Sequence, residues 1–264
     1  ALRLGEGTLS NTGALVVTTG KYTGRSPKDK FIVDTESIHN DIAWGKVNRP
    51  ISREKFNAIK EKITALLEQY DVYLIEDDVY QELFYGSHKP LPAKYFDQHR
   101  RVLHCSSFSK TLGAGFRVGW VHAGQFSHRI QHLQLMSTIA VSPLLQHTLV
   151  EFLSSHHYEK HLRYLRRSLE LRKKQFYSYL KTHLPNDCEV YYFSGGYFLW
   201  IKLPPQVDSM QLYEKLLQHH ITLSPSALFS VEQQSSHHIR LNCSFEWSER
   251  IQNALDLLIK SIQN

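Results

Sequence analysis

Cysteine, methionine and long apolar runs are all scarce in this chain of 264 residues. Its three cysteines, Cys105, Cys188 and Cys243, lie far apart without a CxxC pair, which argues against a disulfide framework and against a zinc site. No uncharged apolar stretch reaches the roughly eighteen residues of a membrane span, and no secretory signal opens the chain. We therefore expect a cytoplasmic protein without a membrane segment. Because Ala1 is not a methionine, we also expect the natural start to be missing.

Acidic residues are fewer than basic ones, 25 against 31, which gives a formal net charge of +6. This excess favours anionic ligands such as phosphorylated or carboxylated small molecules, without requiring nucleic acid. One helical segment has a run of cations that would suit DNA or lipid, but solvent-exposed helix faces commonly have this composition, and we interpret the run in that way. Its members are Arg163, Arg166, Arg167, Arg172, Lys173 and Lys174.

The first 45 residues are rich in glycine, which predicts turns and short strands. Strands are expected at residues 14–18 and 30–33, with a loop at 20–29 between them. A helix is then predicted to continue to Gln69, because apolar residues recur at helical spacing. These residues are Phe56, Ile59, Ile63, Leu66 and Leu67.

From Tyr70 onward, apolar strands alternate with helices, as in the layers of a parallel α/β protein. The predicted strands are 72–75, 102–105 and 118–122, and the predicted helices are 129–136, 143–154 and 158–183. After Pro185 an α+β segment follows, with strands at 189–193, 196–202 and 238–243 and helices at 210–220 and 249–262. Ser209 and Ser248 are the expected N-caps of these last two helices.

The run SSFSKTLGAGFRVGW at residues 106–120 directly follows a predicted strand and has the most chemical content. The Lys110 amine could hold a phosphorylated aldehyde as a Schiff base. The hydroxyls of Ser107 and Ser109 could donate to the phosphate, Arg117 could bind the same dianion bidentately, and the glycines would let the backbone approach it.

The whole run resembles the lysine segment of fold-type-I pyridoxal phosphate enzymes, the class I/II aminotransferases. Upstream, the strand end IEDDVY at residues 75–80 has the Asp and Tyr spacing of that family. The resemblance implies that Asp77 pairs with the pyridine nitrogen and Tyr80 with the ring hydroxyl, with Asp78 as the alternative for the first role. It also implies that Lys110 moves the proton between the substrate α-carbon and the cofactor.

Two later segments extend this resemblance. GGYFLW at residues 195–200 and IRLNCS at 239–244 are similar to the small-domain strands of these aminotransferases. The second segment holds the family's carboxylate arginine, so the resemblance implies that Arg240 binds the substrate α-carboxylate. Ser226 stands where a glycine is usual. The most similar members that we identify are the aminotransferase-like domains of MocR-type GntR regulators, with aminotransferases of the aminoadipate type nearby.

Residues 1 to about 63 resemble a different family, ATP-dependent phosphoenolpyruvate carboxykinase, through GEGTLSNTGALVVTTGKYTGRSPKDKFIV at residues 5–33 and DIAWGKVNRPIS at 41–52. The resemblance implies that Arg25 binds the carboxylate of oxaloacetate or phosphoenolpyruvate. The sequence contains no GxxxxGK[ST] loop for ATP phosphates and no segment resembling the family's metal ligands, so we expect no kinase activity.

These resemblances predict an α/β protein in three parts. A short carboxykinase-like α/β fragment occupies residues 1–63, a partial fold-type-I large domain residues 64–157, and an α+β small domain residues 158–264. The expected activity is pyridoxal-phosphate-dependent amino-group transfer between an amino acid and a 2-oxo acid by a homodimer, at a site that lacks the family's front half. Two alternatives stay open: an effector domain of a MocR/GntR-type regulator, which contacts DNA only through a separate domain, and a non-functional chimera.

Overall fold

The computed structural model describes residues 14–16, 53–86, 89–229 and 237–263, with side chains from residue 57 onward. These residues form two compact units, one that ends at Arg163 and another that begins at Tyr164. The predicted strand at 30–33, the loop at 20–29 and Arg25 lie outside the described residues. None of the described helices is long and apolar enough to cross a membrane.

The first unit is built on a sheet of four strands in the order β1-β2-β3-β4. These are β1 (Ala14–Val16), β2 (Tyr73–Asp77), β3 (Val102–Ser107) and β4 (Gly119–His122). The pairs β1/β2 and β2/β3 are parallel, and β3/β4 is antiparallel. A side chain at Gly119 would bring its Cβ within 2.9 Å of the Ser106 oxygen, so only glycine lets β4 approach β3 this closely.

One face of this sheet packs on helix α1 (Arg53–Gln69) and on a 3₁₀ turn at Ala93–Phe96. The buried core consists of Leu67, Val72, Leu74, Ala93 and Val102, with Ile63 packed against it. The carboxylate of Glu76 accepts hydrogen bonds from Lys60 Nζ at 2.8 Å and from the Ala93 amide at 2.9 Å. This carboxylate therefore ties the helix and the turn to the middle of the sheet.

Three helices follow β4 along the chain: α2 (Ser127–Thr138), α3 (Pro143–Ser154) and α4 (His157–His183). α2 has no buried residue, and α3 buries only Leu149. α4 begins in the first unit, where Leu162 is fully buried, and continues into the second.

The second unit has an antiparallel sheet in the order β5-β6-β8-β7. Its strands are β5 (Glu189–Tyr191), β6 (Phe198–Lys202), β7 (Ser224–Pro225) and β8 (His238–Asn242), and its further helices are α5 (Ser209–Leu217) and α6 (Glu249–Gln263). Its core includes Leu199, Ile201, Ile239 and Leu258, from both sheet and helix. Because strand side chains alternate, Phe198, Trp200 and Arg240 lie on the opposite sheet face from that core.

Every helix and strand that the sequence predicts within the described residues is confirmed, with ends that differ by a few residues. Ser248 is confirmed as a cap, since its hydroxyl accepts from the Ile251 amide at 3.3 Å. The predicted cap at Ser209 is wrong. Asp208 is the N-cap, and Ser209 is the first residue of α5, fully buried and 3.4 Å from the Ser226 hydroxyl.

Replacing Asp208 should test this correction, because its carboxylate accepts from the amides of Met210 at 2.9 Å and Gln211 at 3.0 Å. We expect Asp208→Ala to lower the free energy of unfolding by about 1 kcal/mol, the usual cost of losing an N-cap. Urea denaturation followed by circular dichroism measures it. Gln211→Ala, an exposed change in the same turn, is the control, and an equal loss in both variants would contradict the assignment.

Candidate functional site

The parallel pairing of β2 with β3 brings the ends of two candidate segments to one sheet edge. Asp77, the last residue of β2, is in register with Cys105, and the Asp78 amide donates to the Cys105 oxygen at 2.8 Å. The residues that follow both strands therefore emerge side by side. Lys110 is three residues beyond the end of β3.

The two neighbouring carboxylates differ in their surroundings. Asp77 is exposed and has no hydrogen-bond partner within the described part of the chain. It lies on the opposite sheet face from Glu76 and the core around α1. Asp78 is half-buried, with its Oδ2 3.4 Å from His104 Nε2. Asp77 is therefore the carboxylate that is available to a ligand, which favours it over Asp78.

Lys110 lies beside Tyr80, with its Nζ 5.6 Å from the centroid of the phenol ring. Lys110 sits in a tight turn in which the Phe108 oxygen accepts from three amides, those of Thr111, Leu112 and Gly113. His161 of α4 approaches the Thr111 oxygen at 2.6 Å and so fixes the turn from outside. The hydroxyl of Thr111 is buried without a hydrogen-bond partner among the described residues.

The predicted phosphate donors are less closely gathered. The Ser107 hydroxyl accepts from the Ser109 amide at 3.4 Å. Arg117 is exposed, in the left-handed conformation at φ 52°, and makes no hydrogen bond to Lys110 or either serine in the described structure. A non-glycine residue in this conformation is strained by roughly 1 to 2 kcal/mol. The structure thus brings Lys110 and Tyr80 together, and no hydrogen bond within its described part joins Arg117 to them.

Arg240, on β8 of the second unit, is held by aromatic rings. Its guanidinium carbon lies 4.4 Å from the ring centroid of Phe198 and 4.4 Å from that of Phe229. Its Nε is buried with no hydrogen-bond partner within the described part. Rings attract a guanidinium without neutralising its charge, so this side chain is free to bind a carboxylate.

Burial shifts the pKa of two groups near these residues. It raises the pKa of the Cys105 thiol to about 11, with the charges of Asp77 and Glu76 contributing, so this cysteine is a protonated thiol at neutral pH and not a nucleophile. Burial also lowers the pKa of His238 to about 4, helped by the nearby Lys202 and His237. His238 stacks on Trp200 with ring centroids 5.6 Å apart and is neutral at pH 7.

One part of the basic run on α4 was interpreted wrongly from the sequence. Lys173 is fully buried instead of solvent-exposed, and its Nζ donates to the oxygens of Phe193 and Gly195, both at 2.8 Å. Burial lowers its pKa to about 8. Arg172 donates to the Ser244 oxygen at 2.7 Å and to Glu246. The signal was present, since Leu169 and Phe176 place Lys173 on the apolar side of the helix.

The residues at the first unit's sheet edge fit the cofactor that the sequence implies. Within the described part of the chain, the site has an amine beside a phenol, a carboxylate without a hydrogen-bond partner on the adjacent strand, and a buried hydroxyl that is also without a partner. These groups suit a phosphorylated pyridine aldehyde. This donor set therefore agrees with Lys110, Tyr80 and Asp77 as ligands.

Two protein families match the chain. Residues 58–258 match aminotransferase class I and II, and residues 1–87 match phosphoenolpyruvate carboxykinase. The two matches overlap at residues 58–87.

Bacterial proteins named as HTH-type transcriptional regulators are similar to this chain. YdcR of Escherichia coli K12, named an uncharacterized regulator, is 48% identical over 204 residues, which is 77% of this chain and 44% of YdcR. NorG of Staphylococcus aureus N315 is 32% identical over 214 residues, 80% of this chain and 47% of NorG. The chain therefore spans less than half the length of these relatives.

Solved aminotransferases share the fold, which confirms the expected fold class. Kynurenine aminotransferase of Pyrococcus horikoshii superposes with a TM-score of 0.72 at 24% identity, over 77% of this chain and 51% of that protein. LysN, the α-aminoadipate aminotransferase of Thermus thermophilus, gives 0.71 at 21%, over 78% and 54%.

The lowered pKa of His238 predicts sensitivity to acid. The unfolded chain takes up a proton near the ordinary pKa of about 6.5, whereas the folded chain resists it down to about 4. Stability is therefore present above pH 6.5 and lost as the pH falls towards 4. His238→Phe keeps a ring against Trp200 and should lose less unfolding free energy between pH 7 and 4.5 in urea titrations. The exposed His219→Phe is the control, and an unchanged acid sensitivity in His238→Phe would contradict this assignment.

Proposed function

Because the chain belongs to the class I and II aminotransferase family, we propose that it binds pyridoxal phosphate at Lys110 and transfers amino groups between an amino acid and a 2-oxo acid. The observation that carries this proposal is the approach of the Lys110 amine to Tyr80, at the sheet edge where Asp77 has no hydrogen-bond partner in the region that the structure describes. Pyridoxal phosphate, when bound, supplies an electron sink for the pair left on the substrate α-carbon.

Each residue then has a defined task. The Asp77 carboxylate would hold a proton on the ring nitrogen, since an opposite charge at short range favours the protonated form. Tyr80 would donate to the ring hydroxyl, and Ser107, Ser109 and Arg117 would contact the phosphate. The Lys110 amine, once released by the incoming amino acid, would accept the proton from the α-carbon and return it.

Arg240 would bind the substrate α-carboxylate, because the two rings hold it in place and no carboxylate among the described residues pairs with it. For Arg25, binding of the carboxylate of oxaloacetate or phosphoenolpyruvate remains a prediction from the sequence. The domain boundaries at 63/64 and 157/158 also remain predictions.

A second candidate function rests on the relatives. At 48% identity, YdcR is named as an HTH-type regulator. Lys110 would then hold the cofactor and Arg240 the carboxylate of an amino acid that a transcription regulator senses, and DNA contact would need a domain beyond the matched region. Steady formation of a 2-oxo acid distinguishes the enzyme from the sensor, because a sensor binds cofactor and amino acid without continued release of product.

A homodimer is part of this proposal. α2 and α3 expose Met136, Leu144 and Val150 to the extent of 74%, 76% and 57%. An accumulation of apolar side chains on adjacent helices is typical of a protein–protein contact.

The covalent role of Lys110 is testable by trapping. Borohydride reduction of the cofactor-loaded chain, followed by peptide mass mapping, should find the pyridoxyl group on the peptide that contains Lys110. Lys110→Ala should abolish the label, whereas Lys160→Ala, a change of an exposed lysine on α4, should not. Label on another lysine, or bound cofactor with no label, would contradict the proposal.

Asp77 and Asp78 form a matched pair for the ring-nitrogen role. We expect Asp77→Asn to slow the half-reaction with an amino acid by roughly a hundredfold or more, since removal of one preorganised charge partner costs about that much. Asp78→Asn should have a much smaller effect, because that carboxylate is directed to His104. Stopped-flow absorbance of the cofactor measures both. A larger effect from Asp78→Asn would show that the ring nitrogen is paired with Asp78 instead.

A further inference from the structure

Lys173 is a charged side chain in the interior of the second unit, with 0% of its surface exposed. Its Nζ donates to the oxygens of Phe193 and Gly195, each at 2.8 Å, and lies 4.8 Å from the centroid of the Tyr192 ring. Burying an ammonium group is costly unless such bonds compensate. Three contacts of the Lys173 amine therefore join α4 to one short segment, residues 192–195.

That segment leads directly into β6 through a glycine turn. Gly196 has φ +60°, a conformation that side chains rarely adopt, and a Cβ there would meet nothing within 4 Å. Glycines provide no side chains to hold the turn. Hydrogen bonds from other elements hold it on both sides of Gly196. Before Gly196, Lys173 donates to the Gly195 oxygen; after it, the Cys243 amide donates to the Tyr197 oxygen at 2.7 Å.

The turn determines where β6 begins, and β6 begins with Phe198. The Phe198 ring lies 4.4 Å from the guanidinium carbon of Arg240. A displacement of the turn would move this ring and remove one of the two aromatic faces that orient the guanidinium. Bidentate binding of a carboxylate depends on that orientation.

We propose that Lys173 is a positioning residue that orients Arg240 for the substrate α-carboxylate, by fixing the Phe193 and Gly195 carbonyls ahead of β6. It acts through Phe198 and touches neither cofactor nor substrate. This inference rests on the proposed function, in which Arg240 binds the carboxylate.

The test is a double-mutant cycle on binding of 2-oxoglutarate by the cofactor-loaded chain, measured by calorimetry. Lys173→Met should weaken binding about tenfold, because a guanidinium that has lost one of its two aromatic faces is less well oriented for a bidentate contact. Lys173→Arg should recover part of the loss. In an Arg240→Met background, Lys173→Met should cause no further weakening, although it still lowers the melting temperature. A merely structural role predicts the same weakening in both backgrounds.

Lys174→Met is the matched control, because Lys174 is exposed and pairs with Glu170 on the helix surface. It should leave binding unchanged. If Lys173→Met does not fold, Gly196→Ala moves the same turn through its φ angle alone and should also weaken binding only when Arg240 is present.

The outcomes separate the two proposals. If Arg240→Met weakens 2-oxoglutarate binding but Lys173→Met or Gly196→Ala does not, the positioning role is overturned and the carboxylate clamp stands. If Arg240→Met leaves binding unchanged, or the unaltered chain binds no 2-oxoglutarate, the clamp itself is wrong and this inference falls with it.

Discussion

The parallel pairing of β2 with β3 is the constraint on which the candidate site depends. Residues that follow two parallel strands emerge at the same edge, so the pairing of Asp77 with Cys105 places the Lys110 turn beside the 77–80 segment. Because side chains alternate between the two faces of a strand, the two acidic residues at the end of β2 have different roles. Glu76 faces α1 and ties helix and turn to the sheet, whereas Asp77 faces away and is left without a partner among the described residues. A shift of the β2 register by one residue would turn Glu76 away from α1 and Asp77 towards it, so that neither carboxylate could keep its role.

Two cations of the second unit, Arg240 and Lys173, contact groups that carry no opposite formal charge. Rings of Phe198 and Phe229 hold Arg240, and backbone carbonyls of Phe193 and Gly195 hold Lys173. A carboxylate in place of the rings would orient Arg240 equally well but would neutralise it. Aromatic support therefore preserves the charge for an anionic ligand, at the cost of a buried Nε that lacks a hydrogen bond.

How much was predictable depends on the range of each interaction. The helices, the Ser248 cap and every strand except the two-residue β7 follow from local periodicity and side-chain chemistry, and these were predicted. Ser209 misled because both it and Asp208 suit an N-cap, and the choice is decided by the burial of Ser209 against Ser226, a contact distant in sequence. Lys173 was wrongly predicted to be solvent-exposed because it lies in a run of basic residues, most of which are on the solvent side of α4. The choice between Asp77 and Asp78 needed His104, which lies on the neighbouring strand.

The overlap of the two family matches at residues 58–87 begins within α1 and continues through β2. Few of the described side chains of α1 make contacts with the sheet. Ile63 and Leu67 pack against the core, and Lys60 donates to Glu76. An amphipathic helix from either family meets such a requirement, because a sheet core demands apolar volume at helical spacing more than particular residues. β2, by contrast, must supply both Glu76 and Asp77 in register with β3. Changes of sequence should therefore be tolerated more easily within α1 than anywhere from β2 to the end of the Lys110 turn.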